Sequence, residues 1–485
     1  MYQPQPPIEP PAAAPQQTSR GRVIAALALC FLAALGLTVN YIASERVGGA
    51  MLRDAQAQQY LFQGKVVLGL AYYLEGMRRQ VAPGRATARF AWTSARTGFN
   101  SAAAYFERAA RGLADADART AAAASAAALY GYLGDDWRAV VTLQRAMEGG
   151  RQDILFFLVR LYANQRPTPD WLRSPEFRWT AQHAPAHLLI ESEINRRMGR
   201  RSRAAELSQE MLAAGAPVAV RVEFLLFFIV VVILAGALIL ARGIGARGFG
   251  PYRGLPPRPW GPWEGLELVG AWLVLMLVIG QFAALGMVAG TAGLAAGVLA
   301  SYVIASLLAL AWFARAVAPA GSGLSTIGWR PANLRDGVLN GIGAYAAALP
   351  AGAVAMAIAM QAINRGWLAE PPANPLIAAM MQAHGWGTRA LFLALLCVAA
   401  PVVEETIFRG GLYGGLRRRC SLPAAALVSS AVFAAVHLNW ASFLPVTALG
   451  AVLCVVYERT GSLLPAMAAH GIFNLVTAVA VFALA

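Results

Sequence analysis

Long apolar runs alternate with short polar connectors along most of the chain. Nine such runs are present, at residues 23–43, 224–241, 266–288, 291–314, 337–361, 389–412, 423–439, 442–457 and 464–485. A helix of about 20 apolar residues is long enough to cross a hydrocarbon layer of about 30 Å. The pattern therefore predicts an all-α protein, a polytopic membrane helix bundle of about nine spans.

Residues 45–222 interrupt this pattern with charged, alanine-rich segments in which apolar residues recur at helical spacing. They predict an inserted extramembrane α-helical domain. Residues 130–139 and 194–204 are each typical of a helix, a glycine-containing turn and a second helix, and their glycines, Gly134 and Gly199, are 65 positions apart. That spacing is close to twice the tetratricopeptide period of about 34 residues. The domain is therefore either tetratricopeptide-like or an unrelated all-helical domain.

The sequence predicts six parts, divided where the content of apolar and charged residues changes. The first apolar run follows Arg20 and Arg22 and is longer than the core of a signal peptide, which favours an uncleaved anchor. The parts are a disordered Pro-rich tail at 1–22, a transmembrane anchor at 23–44, the extramembrane domain at 45–222, a transmembrane span at 223–242, a linker with two spans at 243–334, and a C-terminal core at 335–485.

Composition and charge narrow the class of protein further. Hydrophobic residues make up 58% of the chain and charged residues only 13%, against about 25% charged residues in a typical soluble domain. The formal net charge is +15, but the arginines collect in connectors and no basic stripe interleaved with aromatic residues is present. This distribution argues against a nucleic-acid partner and favours topology signals and lipid headgroups.

The positions of the arginines also predict an orientation. They are frequent in the connectors that lie on the same side as the N-terminus, including Arg417, Arg418 and Arg419. By the positive-inside rule, the N-terminus is then cytoplasmic and residues 45–222 lie on the outer side. We expect an integral protein of the bacterial inner (cell) membrane.

Polar residues that could carry chemistry interrupt the last apolar runs in three sets. These are Glu404, Glu405 and Arg409; Phe433 and His437; and His470 and Asn474. A single histidine in such a helix is usually an interhelical hydrogen-bonding residue, and charges near a helix end can reach the membrane surface. Three sets on three helices, however, are too costly to leave in hydrocarbon, and they predict one shared polar pocket.

The spacing within the sets indicates a chemistry. Glu405 and Arg409 are four residues apart and can pair on one helical face. Glu404 is turned by about 100° from that face and stays available as a base that activates water. A neutral imidazole could orient this water, and Asn474 with the other imidazole could stabilise an oxyanion. The motifs H-E-x-x-H and G-x-S-x-G are absent from the sequence.

At these residues the sequence resembles the CPBP family of intramembrane proteases, which are the CAAX prenyl endopeptidase type II and bacteriocin self-immunity (Abi) relatives. Their pattern is E-E-x-x-x-R, F-x-x-x-H and H-x-x-x-N on separate helices, and the resemblance covers roughly 335–485. It implies catalytic roles for Glu404, His437, His470 and Asn474, and supporting roles for Glu405, Arg409 and Phe433.

The cofactor stays open at this stage. Family members are classed as metalloproteases, although a metal-free glutamate mechanism is also argued. Glu404, His437 and His470 could supply three ligands to a zinc ion, or no metal is held. Counted along their helices, His437 lies about 21 Å and His470 about 8 Å from the inner surface, so the three meet only if the helix boundaries differ from those predicted.

The predicted function is that of an intramembrane endopeptidase. It would hydrolyse a peptide bond of a membrane-associated protein or peptide through a water activated by Glu and His, with the lipid bilayer as its other partner. The alternative is a non-catalytic membrane scaffold or immunity protein that uses the same fold to bind a partner. A transporter is disfavoured because the polar sets lie only in the C-terminal third, rather than at matching positions of two halves.

Overall fold

The computed structural model describes residues 20–47, 49–80, 86–163, 165–245, 254–255, 258–282, 290–316, 324–329, 334–368 and 374–484. In these ranges the regular elements are all helical, which confirms the predicted all-α class. The predicted disordered tail lies outside the described residues, apart from Arg20–Arg22, which begin the first helix, α1 (Arg20–Val47).

The segment predicted to lie outside the membrane consists of packed helices around one hydrophobic core. Phe99, Phe106 and Leu129 are completely buried in that core. The helices are α2 (Gly49–Gln80), α3 (Ala86–Gly112), α4 (Ala116–Tyr132), α5 (Asp136–Ala146), α6 (Gln152–Tyr162), α7 (Pro175–His183), α8 (His187–Arg197) and the first part of α9 (Arg201–Gly245).

The two similar sequence stretches of this domain are both helix–turn–helix units in the structure. Gly134 ends the turn after α4 with a φ of 90°, and Gly199 occupies the turn after α8 with a φ of 77°. Only glycine adopts this backbone region at low cost, which accounts for the residue at both turns. The Asp135 side chain then caps α5 by accepting a hydrogen bond from the Arg138 amide. The tetratricopeptide-like character of the whole domain stays a prediction.

A buried carboxylate links three helices of the domain. The Tyr130 hydroxyl on α4 donates to Glu107 Oε2 of α3 at 2.7 Å, and Arg138 on α5 donates to the same oxygen at 3.2 Å. Burial raises the pKa of Glu107, but the hydrogen bonds from Tyr130, Arg111 and Arg138 outweigh burial and hold that pKa below its ordinary value. The charged form of Glu107 therefore fastens α3 to the α4–α5 hairpin.

The long helix α9 joins this domain to the membrane part without a break. It contains 45 residues, and its stretch Glu206–Leu238 is long and apolar enough to cross a membrane. The boundary predicted between residues 222 and 223 therefore lies inside one continuous helix. α9 packs both on α2 and on the later helix α12 (Leu334–Asn364).

The membrane part confirms the predicted polytopic bundle. Seven helices among the described residues are long and apolar enough to cross a membrane, and shorter apolar helices lie at Gly21–Ala34 and Leu422–Ala435. Besides α9 and α12, the helices of this part are α10 (Pro262–Gly280), α11 (Gly290–Ala316), α13 (Pro375–Met381), α14 (Trp386–Leu416), α15 (Leu422–Ala435), α16 (Trp440–Thr460) and α17 (Leu464–Leu484).

Two of the predicted spans are shorter in the structure. The run 423–439 forms α15, which has 14 residues and a length of about 21 Å, less than the hydrocarbon thickness of about 30 Å. The run 266–288 forms α10, which ends at Gly280, and residues 283–289 lie outside the described part of the chain.

Helix α14 is irregular where it carries the polar residues. Ala394–Ala399 and Glu405–Tyr413 are π-helical, and Glu404 is the last residue of the short α-helical stretch between them. The Ala400 amide donates to the Leu395 carbonyl, five residues earlier. Such π-helical turns are frequent at functional sites.

Candidate active site

A completely buried ion pair anchors the site. Arg409 Nη1 lies 3.1 Å from Glu405 Oε1, and neither side chain is exposed to solvent. The guanidinium also lies over the ring of Phe433, 4.3 Å from its centroid, so that α15 contacts the pair through an aromatic face. A Cβ atom at Gly450 of α16 would come within 3.0 Å of Arg409 Nη2, which explains why glycine stands there.

His470 of α17 contacts the same carboxylate. Its Nδ1 lies 2.9 Å from Glu405 Oε1 and therefore carries the proton that this oxygen accepts. Its Nε2 lies 3.8 Å from Glu404 Oε2, beyond hydrogen-bond distance. The close approach of α17 to α14 depends on Gly471, where a Cβ atom would lie 2.7 Å from the Cys397 carbonyl oxygen.

Asn474 binds the irregular backbone of α14. Its Nδ2 donates to the Leu396 carbonyl oxygen at 2.7 Å. In the π-helical register this carbonyl would be paired by the amide of residue 401, but Pro401 has no N–H. The proline thus leaves a backbone acceptor free, and Asn474 uses one of its two amide hydrogens to satisfy it.

His437 follows the end of α15 and lies in a turn, not within a membrane helix as predicted. Its Nδ1 donates to the Phe433 carbonyl at 2.8 Å, and the two rings meet edge to face with centroids 4.9 Å apart. The Nε2 atom of neutral His437 is therefore a hydrogen-bond acceptor. The next residue, Leu438, has a φ of 51°, a region that leucine rarely adopts and that is common at functional sites.

Tyr302 of α11 is a site residue that the sequence interpretation missed. Its hydroxyl donates to Glu404 Oε1 at 2.9 Å. Trp272 packs edge to face on the Tyr302 ring and donates to Ser306, whose hydroxyl donates in turn to the Tyr302 carbonyl at 2.6 Å. The sequence signal was a tyrosine with two serines, Ser301 and Ser306, inside an apolar run.

The four predicted catalytic residues line one cavity of about 320 Å³, named here the α13 cavity. Its lining also includes Tyr302 and residues of α13. Along α14 it extends from Leu395 to Glu404, about 14 Å, so side chains at different depths border the same space. The length of this cavity lets residues at different positions along their helices border the same space.

A second cavity, named here the α10 cavity, has a volume of about 360 Å³. One face of α10 lines it, including Trp272, Met276 and Gly280. Glu404 and His437 line both cavities. The carboxylate and the imidazole therefore stand at the junction of two spaces.

The residues as arranged do not fit a zinc site formed by Glu404, His437 and His470. In the part of the chain that the structure describes, no three His, Cys, Asp or Glu side chains are grouped closely enough to hold a metal ion. Glu404 Oε1 is occupied by Tyr302, and His470 Nδ1 by Glu405. No step below passes through a metal.

Residues 386–476, which carry all three polar sets, match the family described as Rce1-like, type II CAAX prenyl endopeptidase Rce1-like. This match supports the resemblance of these residues to the CPBP family. The chain is also similar to a Bacillus subtilis (strain 168) protein named "Putative membrane peptidase YdiL", with 31% identity over 84 residues, which are 17% of this chain and 34% of that protein. The chain thus spans about a third of the length of this curated relative. No solved structure matches the chain.

The CPBP match supports a membrane protease at the level of the family. It begins at the first residue of α14, so α10, α11 and α13, which complete the two cavities, lie outside the matched residues. Trp272 and Tyr302 are accordingly features that the family match does not cover.

Proposed function

We propose that the protein is an intramembrane endopeptidase that hydrolyses a peptide bond of a membrane-associated protein or peptide. The observation that carries this proposal is Glu404, a residue of the α13 cavity lining whose carboxylate has one unpaired oxygen. Glu404 Oε2 is buried and accepts no hydrogen bond from the described residues, while the imidazoles of His437 and His470 border the same space.

Glu404 is the base in this proposal. The hydrogen bond from Tyr302 occupies Oε1 and fixes the carboxylate, which leaves Oε2 to take a proton from water. Oε2 lies 3.8 Å from His470 Nε2, so the oxygen that takes the proton and the nitrogen proposed to face the oxyanion are neighbours. His437 Nε2 is a second acceptor for this water, so the nucleophile is oriented from two sides.

His470 and Asn474 are suited to stabilise the oxyanion. In this proposal the His470 ring carries both of its protons, so Nδ1–H donates to the Glu405 carboxylate and Nε2–H is presented to the oxyanion. Asn474 keeps one amide hydrogen after its bond to Leu396. Donors held in place before the reaction are the most effective stabilisers of developing charge.

The proposed reaction is balanced in protons. The water oxygen bonds to the carbonyl carbon while its proton passes to Glu404 Oε2. When the C–N bond breaks, Glu404 returns this proton to the leaving nitrogen, and the products are a carboxylic acid, which keeps the second proton of the water, and an amine. With both ring protons on His470 and a neutral His437, the charges of Glu404, Glu405, Arg409 and His470 sum to zero, and the proton taken up by Glu404 balances the negative charge that develops on the oxyanion.

The location and the orientation are parts of the same proposal. We propose the bacterial inner membrane, a cytoplasmic N-terminus and a protein or peptide substrate. The arginine-rich connectors support the orientation.

The test is hydrolysis by the full-length protein reconstituted in lipid vesicles. It is incubated in H₂¹⁸O with a mixed library of apolar peptides, and mass spectrometry searches for new termini. We expect one ¹⁸O atom in each newly formed carboxylate, because the proposed nucleophile is water itself. The absence of new termini across the library would contradict the proposal.

Replacing Tyr302 by Phe is expected to lower kcat about 10- to 100-fold, the equivalent of losing one hydrogen bond to a charged group, about 1.5–3 kcal/mol. The loss should appear mainly in kcat, because the hydroxyl positions the proposed base. The measurement is kcat and KM of the variant and the wild type.

The matched control for this variant is Tyr345→Phe, which removes the hydroxyl of a buried tyrosine on α12 that lines neither cavity. The kcat of this control should equal that of the wild type. A Tyr302→Phe enzyme that keeps the wild-type kcat would contradict the role given to this hydroxyl.

A further inference from the structure

A segment between α11 and α12 in the chain contacts the π-helical stretch of α14. This segment, residues 324–329, begins with a 3₁₀ turn at Leu324–Ile327. The indole Nε1–H of its last residue, Trp329, donates to Thr406 Oγ1 at 3.1 Å, across 77 positions of sequence. Thr406 follows Glu405 directly, so the 324–329 segment contacts α14 next to the two glutamates of the site.

Thr406 connects the indole to the backbone of α14. It is 2% exposed, and its hydroxyl donates to the Val402 carbonyl oxygen, four residues earlier, at 2.6 Å. Because a hydroxyl has one proton, the Thr406 oxygen is then left to accept the indole N–H. The two bonds form one chain from Trp329 to Val402. Glu404 and Glu405 lie between Val402 and Thr406, within the turn that this chain spans.

The backbone of α14 changes register in the same turn. The Glu405 amide donates to the carbonyls of both Pro401 and Val402, and the stretch Glu405–Tyr413 that follows is π-helical. The register determines where each following side chain points around the helix axis. A shift in this turn would therefore rotate Glu405 away from His470, which it contacts at 2.9 Å.

The 324–329 segment is itself fixed by backbone contacts. The Tyr457 hydroxyl of α16 donates to the Ile327 carbonyl at 2.5 Å, and the Leu463 amide, just before α17, donates to the Gly328 carbonyl at 3.0 Å. A Cβ atom at Gly410 of α14 would overlap the Ile327 side chain, so the segment packs directly on α14. Trp329 thus donates from a position that three helices determine.

A second tryptophan donates to the other end of the same π-helical stretch. The Nε1–H of Trp260 donates to the Gly411 carbonyl at 3.1 Å. Trp260 is 1% exposed and belongs to the core, whereas Trp329 is 40% exposed. Burial of the ring therefore accounts for Trp260 better than for Trp329, whose buried partner is Thr406. Both tryptophans lie outside residues 386–476, which the family match covers.

We infer that Trp329 is a positioning residue of the active site. Through Thr406 it fixes the turn of α14 that carries Glu404 and Glu405, and so it keeps Glu405 on His470. Trp329 lines neither cavity, so its effect falls on the rate of the reaction and not on the binding of the substrate. The inference rests on the proposed endopeptidase function and adds to it a residue that acts from outside the site.

The test is the steady-state kinetics of the full-length protein in lipid vesicles, on a peptide that the wild type cleaves. Trp329→Phe removes the indole N–H and keeps an aromatic ring. We expect kcat to fall about 3- to 10-fold, as for the loss of one neutral hydrogen bond, and KM to stay within about twofold. Trp367→Phe is the matched control, because Trp367 is 71% exposed and lines neither cavity. Its kcat should equal that of the wild type.

A double-mutant cycle separates positioning from a general contribution to folding. Thr406→Val removes the hydroxyl and should lower kcat by a similar factor, while the conservative variant Thr406→Ser should restore it. In the Thr406→Val background, Trp329→Phe should cause no further loss, because its connection to α14 is already broken. Losses that multiply in the double variant, or a wild-type kcat in Trp329→Phe, would overturn the inference.

Hydrogen–deuterium exchange provides a reading that does not depend on hydrolysis. Trp329→Phe should speed amide exchange about 3- to 10-fold in peptides covering residues 400–410 and leave exchange in α4 unchanged. If exchange responds but the wild type cleaves no peptide, the role of Trp329 in fixing α14 stands and the endopeptidase function fails. If the wild type cleaves peptides and Trp329→Phe changes neither kcat nor exchange, the function stands and the inference is wrong. Unchanged exchange without any cleavage would contradict both.

Discussion

Replacing Glu404 by Gln is expected to lower the rate of peptide hydrolysis by about 10³-fold, within the range attributed to general acid–base catalysis. The amide has nearly the shape of the carboxylate, and its oxygen still accepts the hydrogen bond from Tyr302. It has no basic oxygen to take a proton from water. The loss should therefore appear in kcat, while protein abundance and melting temperature stay at wild-type values.

Glu267→Gln is the matched control for this experiment. Glu267 is another buried carboxylate on a membrane helix, α10, but it lines neither cavity. Its variant should retain the wild-type rate. The pair also tests the alternative of a non-catalytic scaffold, because a scaffold would keep its biological effect with Gln at position 404. A Glu404→Gln protein that hydrolyses peptides at the wild-type rate would exclude this residue as the base.

Replacing Arg409 by Met is expected to destabilise the folded protein by about 3–5 kcal/mol, because it leaves the Glu405 charge buried without its cation. Both side chains are completely inaccessible, and the guanidinium also covers the Phe433 ring. The double variant Glu405→Gln/Arg409→Met removes both charges and should recover a large part of the loss. The measurement is unfolding in detergent micelles, followed by tryptophan fluorescence.

Arg418→Met is the control. Arg418 is close to Arg409 in the sequence, but its side chain is exposed. Its effect should stay within about 0.5 kcal/mol, as for most surface substitutions. If the double variant is no more stable than Arg409→Met alone, the cost does not come from an uncompensated charge, and packing on Phe433 becomes the explanation.

Much of the fold was predictable because membrane spans have a strong sequence signal. The runs at 291–314 and 464–485 differ from α11 and α17 by at most two residues at each end. Helix α15 was predicted too long because Val436 and Leu438 continue the apolar run past its last helical residue. Hydropathy therefore could not indicate the turn, which depends on the Phe433 carbonyl and on the backbone of Leu438.

The contacts of the candidate site were predictable where both residues lie on one helix. The spacing of Glu405 and Arg409 predicts the ion pair that the structure contains. The contact of His470 with Glu405 joins α17 to α14. It depends on how these two helices pack, which the spacing of residues within one helix does not indicate. The bond from Tyr302 to Glu404 joins residues 102 positions apart, a separation that a single sequence does not resolve. The catalytic roles themselves stay proposals.

Pro401 makes the irregular course of α14 a covalent property of the chain. Whether the helix follows the α or the π register, the pyrrolidine nitrogen cannot donate, so one carbonyl of the preceding turn always lacks an intrahelical partner. No ligand has to open this helix to free a carbonyl oxygen, and in the π-helical register of the structure that oxygen belongs to Leu396 and is bound by Asn474. The proline thus gives α17 a backbone acceptor on α14 to bind when the two helices pack.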